Sequence, residues 1–521
     1  MPRRLTVLAA ATAALAALTS QPTEAQAFCG FYVAPPGEQQ SLTNDASMVA
    51  LMRDGTRTVI SMSNNYKGPA KDFALVIPVP VVLQKANVNT LSKDVFTHLD
   101  MLSAPRLVEY WEQDPCPQPY PSPPPTMDMA GAAPTAMVME SEAKSDKEYG
   151  VKVEAKFTVG EYDVVVLGAT ESDGLESWLH DNGYKIPEGA AEALAPYIKE
   201  QQKFFVAKVD IKKVQMDAQG VAVLSPLRFS YESTDFRLPV RLGLLNAPPV
   251  SGIAAIASPA TTPKQDLLVF VIAKGKRYQV SNYPNVMVPT NLDVTESTRE
   301  HFPAFYAAMF DAAVQKWNGG SIVTEYAWET QSCDPCPAPP LQPEDVATLG
   351  GDVLFQSAEN HGMVLTRLHA RYDAKTLGAD LVFSAADPIS GGNESYDANG
   401  GVQKGAMAAE SNSFQARYVI RHAWTGPIAC ENPRRGVWGG PPGGGSGLTP
   451  ATNLAAAPRG DLKLKDYLMD DSLDFVVVPP IQTPPHRACG CDMPGRYASG
   501  GLATGLATLA LATVVARRRR K

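Results

Sequence analysis

The stretch 47–63 reads SMVALMRDGTRTVISMS. Two runs of apolar and β-branched residues flank Asp54-Gly55, the dipeptide favoured in a two-residue type I′ turn, so the spacing predicts a β-hairpin. The same kind of run recurs along the chain. FALVIPVP at 73–80, RLVEYWE at 106–112 and VKVEAKFTVGEYDVVVLGA at 151–169 read as strands. So do FFVAKVDIKKV at 204–214, LRFSYES at 227–233 and DLLVFVIA at 266–273. Further on come GMVLTRLHARYD at 362–373, ADLVFSA at 379–385 and FQARYVIRHAW at 414–424. Helical patterns are fewer: LSKDVFTHLDML at 91–102, DGLESWLHDNGY at 173–184, AAEALAPYIKEQQ at 190–202 and the long EHFPAFYAAMFDAAVQKWNGG at 300–320. Asp173 is the expected N-cap of the second, and Gly183 and Gly319 the expected stops. No regular βαβ alternation appears, which argues against a doubly wound fold. The expected class is α+β, a mostly antiparallel β-rich body with a few helices, plus a single C-terminal transmembrane helix.

That last element comes from the chain ends. Arg3 and Arg4 precede an apolar run at 5–18, and Ala25 and Ala27 form an A-x-A pattern before Phe28. This is the pattern of a secretory leader cleaved after Ala27, and fourteen apolar residues are short for a membrane span. Phe28 stands where a lipoprotein leader needs a small residue before Cys29. At the other end, 498–516 is an uncharged stretch of 19 residues. As a helix it would measure about 28 Å, close to a hydrocarbon core of about 30 Å. Arg517, Arg518, Arg519, Arg520 and Lys521 follow, and cations of this kind hold a helix end in the cytoplasm. The body is therefore expected outside the cytoplasm, anchored through this helix.

Composition bounds the rest. The chain has 521 residues and a net charge of −8; with the leader at +1 and the segment after Cys491 at +5, the body carries about −14. An acidic body argues against nucleic acid and against peripheral binding to anionic lipid. Pro-rich sequence at 115–125 runs into a Ser-, Ala- and Met-rich stretch, and GVWGGPPGGGSGLTP occupies 436–450. The expected organisation is a leader at 1–27, a β-rich segment at 28–114, a Pro-rich excursion at 115–149 and an α+β segment at 150–332. A β-rich segment at 333–435, a Pro/Gly-rich stalk at 436–488 and a sorting and membrane segment at 489–521 complete it. One echo stands out: VEYWEQDPCPQP from Val108 recurs as TEYAWETQSCDPCPAP from Thr324. It reads either as convergent strand-exit chemistry or as a duplicated unit with matching corners.

The seven cysteines are Cys29, Cys116, Cys333, Cys336, Cys430, Cys489 and Cys491. In an oxidising compartment at least two disulfides are expected among the first five, with Cys333–Cys336 and Cys29–Cys116 preferred. CDPC at 333–336 is a poor redox site, because PAPP follows and blocks the helix whose N-terminus would lower a thiol pKa. Zinc would need a second tight ligand pair; His361, His369 and His422 do not supply one, and the last two read as strand residues, packed or hydrogen-bonded. GGGSGL lacks the final glycine of a nucleophile elbow, and AKGKRY lacks the P-loop spacing. No cofactor and no catalytic residue is expected.

Two resemblances add to these readings. FCGFYV at 28–33, VGEYDVVVLGA, WLHDNGY, CDPCP, LTRLHARYD and FQARYVIRHAW are similar to blocks of an exported bacterial family, domain-of-unknown-function family 2330, across most of 28–442. The resemblance implies export and a shared fold and carries over no catalytic role. Cys489-Gly490-Cys491, a Gly-containing spacer, the apolar helix and the Arg cluster resemble the carboxy-terminal sorting signal of myxobacteria. That likeness implies a membrane protease that cuts near the cysteines and transfer of the body to the cell surface. The expected function is an exported, surface-anchored envelope protein, a non-enzymatic binding or structural module for another envelope component or a ligand. The alternative is an exported hydrolase-like enzyme whose site is assembled from dispersed strand-end residues. A deep cleft of carboxylates around His369 and His422 would favour the enzyme; an open groove or flat patch would favour binding.

Overall fold

The computed structural model describes residues 30–34, 46–64, 73–116, 150–187, 189–216, 222–246, 264–317, 319–355, 361–394, 402–442, 444, 447–450, 452, 462–469, 473 and 475–480. The leader with Ala25, Ala27 and Phe28, then Cys29, most of the excursion, and the tail with Cys489, Gly490, Cys491 and Arg517 to Arg520 lie outside them. Among the described residues no helix is long and apolar enough to cross a membrane; the helix expected at 498–516 lies outside that set.

Strands dominate and most pairings are antiparallel, with few helices. In chain order the main strands are β1 Phe31–Val33, β2 Ala46–Asp54, β3 Arg57–Asn64, β4 Ala74–Val79, β5 Arg106–Glu112, β6 Val151–Val159 and β7 Tyr162–Ala169. They continue with β8 Lys203–Val209, β9 Leu227–Glu232, β10 Gln265–Lys274, β11 Ile322–Glu329, β12 Met363–Tyr372, β13 Ser413–Gln415 and β14 Arg417–His422. The main helices are α1 Asp94–Ser103, α2 Ser172–Asp181, α3 Ala190–Lys199 and α4 Thr298–Gln315. Asp173 lies in the first turn of α2 rather than at its N-cap, which is Glu171.

The hairpin at 47–63 forms, with a correction at its tip. Asp54 pairs with Arg57, so the loop is Gly55-Thr56, and of the two only Gly55 has a positive φ, +55°. A type I′ turn needs positive φ at both loop residues, so this turn instead uses glycine at its first position. The hairpin belongs to a twelve-stranded sheet running β13-β11-β12-β10-β2-β3-β9 through its centre. Strands from all three expected segments therefore share one sheet.

Residue alternation explains the layers. Along β2, Val49 and Leu51 face a second sheet, while Ala50 and Met52 pack with Phe96 and Leu99 of α1. The second sheet, ordered β1-β4-β8-β7-β6, is wholly antiparallel, and its outer face is covered by Leu175 and Trp178 of α2 and by Leu194 and Tyr197 of α3. A third sheet pairs β5 with β14 in parallel, and Phe302, Phe305 and Phe310 of α4 cover Leu107, Tyr418 and Ile420.

The expected stalk at 436–488 is, over its described residues, a strap on the body. Trp438–Gly439 and Leu448–Pro450 both pair with β5, and Val476–Val478 pairs with Asn285–Met287. Glycine permits this approach: a Cβ on Gly447 would lie 2.6 Å from the Glu109 carbonyl oxygen. The two echo strands have similar neighbours but different cysteine bonds. β5 pairs in parallel with β14 and antiparallel with Trp438–Gly439 and Leu448–Pro450, and β11 pairs in parallel with Asn285–Met287 and antiparallel with β12 and β13, whereas Cys116 bonds to Cys430 and Cys333 to Cys336.

Where Ile389–Gly391 meets β13, Gly392 has φ +70°, and a Cβ there would fall 1.9 Å from the Gln415 carbonyl oxygen. Gly392→Ala is expected to destabilise the protein by roughly 1–3 kcal/mol or more, since overpacking and a strained φ add. A denaturant midpoint equal to wild type would refute this.

Candidate functional site

On β12, Arg367, His369 and Arg371 follow one another at every second position and so share one face, the side of the large sheet that carries α1. Each meets a carboxylate from a neighbouring element. Arg371 Nη1 donates to Asp266 Oδ2 on β10 at 2.5 Å, and His369 Nε2 donates to Asp266 Oδ1 at 3.1 Å. His369 Nδ1 donates to Glu325 Oε1 at 2.8 Å and Arg367 Nε to Glu325 Oε2 at 2.6 Å. Arg367 Nη1 reaches Asp100 Oδ1 of α1 at 2.6 Å. The result is a line of alternating charge, Arg371–Asp266–His369–Glu325–Arg367–Asp100.

Glu325 reaches this line through a local irregularity. Thr324 pairs with Leu368 and Tyr326 with Arg367, so Glu325 is the extra residue of a β-bulge. Bulges re-aim a side chain relative to regular alternation. Tyr306 of α4 donates a further hydrogen bond to Glu325 at 3.0 Å, and the Phe310 ring lies 4.2 Å from the imidazole, centroid to centroid. Glu325 and Arg367 are fully buried and His369 is 1% exposed. Burial alone would raise a carboxyl pKa, but His369 and Arg367 outweigh it and hold Glu325 at about 2. Burial opposes the imidazolium, yet Glu325 and Asp266 outweigh it and raise His369 above its ordinary 6.5. With a carboxylate on each ring nitrogen, both nitrogens carry hydrogen.

His422, at the end of β14, occupies different surroundings. It stacks on Trp111 with centroids 4.6 Å apart, and its Nε2 lies 2.8 Å from Glu109 Oε2. Arg299 of α4 donates to the same carboxylate, and that hydrogen bond is the leading cause holding Glu109 below its ordinary range. The two histidines therefore do not converge. His361, in a turn before β12, contacts Gln331. Among the described residues no group of three or more His, Cys, Asp and Glu is arranged to hold a metal ion.

The cysteines are resolved in part. Cys333–Cys336 is bonded, as expected. Cys116 is bonded to Cys430 across 314 residues, which overturns the expected Cys29–Cys116 pair. The reason is topological: β5 and β14 run side by side in parallel, so the residues just beyond their ends meet. A gap between the two large sheets, lined by Ile60, Met62, Ile77, Phe229, Tyr231 and Leu238, has a volume of about 60 Å³. That is room for a few waters, not for a sizeable ligand.

His369 and the two arginines that flank it on β12 are legible in RLHARY as strand residues. Glu325 carries no such signal, because a bulge has no sequence signature here, and Asp100 and Asp266 lie far away in the chain.

A family model described as "Uncharacterized protein conserved in bacteria (DUF2330)" matches residues 23–384. FQARYVIRHAW at 414–424 and the strap lie beyond that match. No curated protein and no solved structure matches the chain.

Proposed function

The chain belongs to the DUF2330 family of bacterial proteins, and from that premise we propose an exported, surface-anchored envelope module that binds or scaffolds rather than catalyses. One observation carries the non-catalytic reading. The strongest acid–base constellation of the described residues, His369 between two carboxylates, is sealed beneath Phe310 with both ring nitrogens engaged. A general base needs a free nitrogen within reach of a substrate proton. His369, paired twice and out of solvent, is instead a brace joining β10, β11 and β12, while its neighbour Arg367 adds α1.

Export is supported by the leader pattern at 3–27 and by two disulfides, which persist in oxidising compartments. Anchoring is supported by the tail, in which the helix would stall the chain and Arg517 to Arg520 would keep its end inside. The membrane and a sorting protease acting near Cys489 and Cys491 are the partners this reading implies. Amino-terminal sequencing of mature protein is expected to begin at Phe28; a mature chain that retains residues 5–18 would refute export by cleavage. With 487–521 fused to an exported reporter, Ser at both 489 and 491 is expected to leave insertion intact and abolish processing. A double variant displayed like the original would sink the sorting role.

A further inference from the structure

Three of the six tryptophans stand at the C-terminal end of the parallel pair β5–β14: Trp111, Trp424 and Trp438. Trp111 is committed to the His422 stack. Trp424 and Trp438 stand at the two ends of one loop, 423–437, and both ends are gathered on one carboxylate. Glu112, 5% exposed, accepts from the Trp424 backbone N–H at 3.0 Å and the Gly436 N–H at 2.8 Å, and pairs with Arg435 at 2.9 Å. Trp438 lies opposite Glu112 in the strand ladder, and the Arg421 guanidinium lies 5.1 Å from its ring centroid. Arg421 is held in turn by Asp293 at 2.6 Å. The Trp424 ring lies against Gly426, where a Cβ would fall 2.5 Å from it. Both rings are half-buried, and Val437 beside Trp438 is 51% exposed.

We infer that this surface binds a neutral oligosaccharide. The inference rests on the binding-module reading and names the partner's chemistry. Indole rings held in fixed orientation offer the negative face of a quadrupole, which attracts the weakly positive C–H groups on one side of a pyranose. Arg421, Asp293 and Arg435 set planar donors and acceptors beside the rings, suited to neighbouring hydroxyl groups. Charge selects the neutral class. The two arginines beside the rings, Arg421 and Arg435, are each paired with a carboxylate, and a body near −14 repels polyanions. The site draws on residues beyond 384, so it is not a property of the matched family region alone.

The test uses the full chain and tryptophan fluorescence, titrated separately with cellohexaose, chitohexaose, maltoheptaose and a deca-proline peptide. A saturable shift with at least one sugar is expected. Trp438→Ala and Trp424→Ala should each weaken it at least tenfold, whereas Trp317→Ala, at a separate exposed ring beyond α4, should not. If an alanine variant fails to fold, Trp438→Phe keeps a flat ring and should show an intermediate loss. No response to any sugar, equal binding by folded variants, or saturation by the peptide alone would overturn the inference. The same mixtures are assayed for new reducing ends. Their appearance overturns the non-catalytic reading while leaving the sugar site in place. Absence of both binding and new reducing ends overturns only the sugar site.

Discussion

Glu325→Gln is expected to lower the unfolding free energy on the order of 3–5 kcal/mol, the range for removing one partner of a buried ion pair. The substitution preserves shape and removes only charge. It leaves His369 and Arg367 in a fully buried site without the one carboxylate they share, His369 keeping Asp266 and Arg367 keeping Asp100. The cost is then the desolvation of two cations that remain under-compensated, not the loss of a hydrogen bond alone. The pH dependence gives a second readout. Glu325 is held near 2 against an ordinary 4.5, so its stabilisation is complete above 4.5 and is lost as pH falls toward 2. His369 is held above 6.5, so its stabilisation is complete below 6.5 and is lost as pH rises through the elevated value. Wild-type stability from this pair should therefore be greatest between about 4.5 and 6.5. In Glu325→Gln the acid limb from this residue should vanish and the His369 pKa should fall. Denaturant titrations across pH, with imidazole NMR shifts, measure both; a variant within about 1 kcal/mol of wild type would exclude the brace.

Replacing Cys116 and Cys430 by Ser is expected to cost roughly 2–5 kcal/mol. The bond spans 314 residues, so its loss returns a large loop-closure entropy to the unfolded chain. It also frees the end of β5 from the segment that leads into the strap, where Arg434 N–H bonds to the Pro115 carbonyl. Early proteolysis within 423–450 should accompany the loss of stability. The Cys333–Cys336 bond closes only a three-residue separation, so its removal should cost less. Equal midpoints for wild type and the Cys116/Cys430 variant under oxidising conditions would contradict this account.

Several elements were legible because their signals are local. The hairpin around Gly55, the strands through 151–169 and 363–372, and the long helix with its stop at Gly319 each follow from alternation, turn residues or helical period within one window. The Cys333–Cys336 bond is local in the same sense. What sequence alone determined was thus the class: a β-rich, mostly antiparallel body of the DUF2330 family, with cysteines suited to disulfides.

Tertiary structure alone decided which distant residues meet. Cys430 rather than Cys29 reaches Cys116 because β5 and β14 lie in parallel, a pairing that no local pattern encodes. The glycine-rich 436–450 reads as a spacer until Gly447 is seen to make room for β5 beneath it. Asp100, Asp266, Glu325 and His369 come from four separate elements and form one line of charge only after three strands and a helix have packed, with a bulge turning Glu325 inward. Sequence patterns report how a residue sits on its own strand. The energy of a buried charge depends on its partners, and those are chosen by the register between strands far apart in the chain.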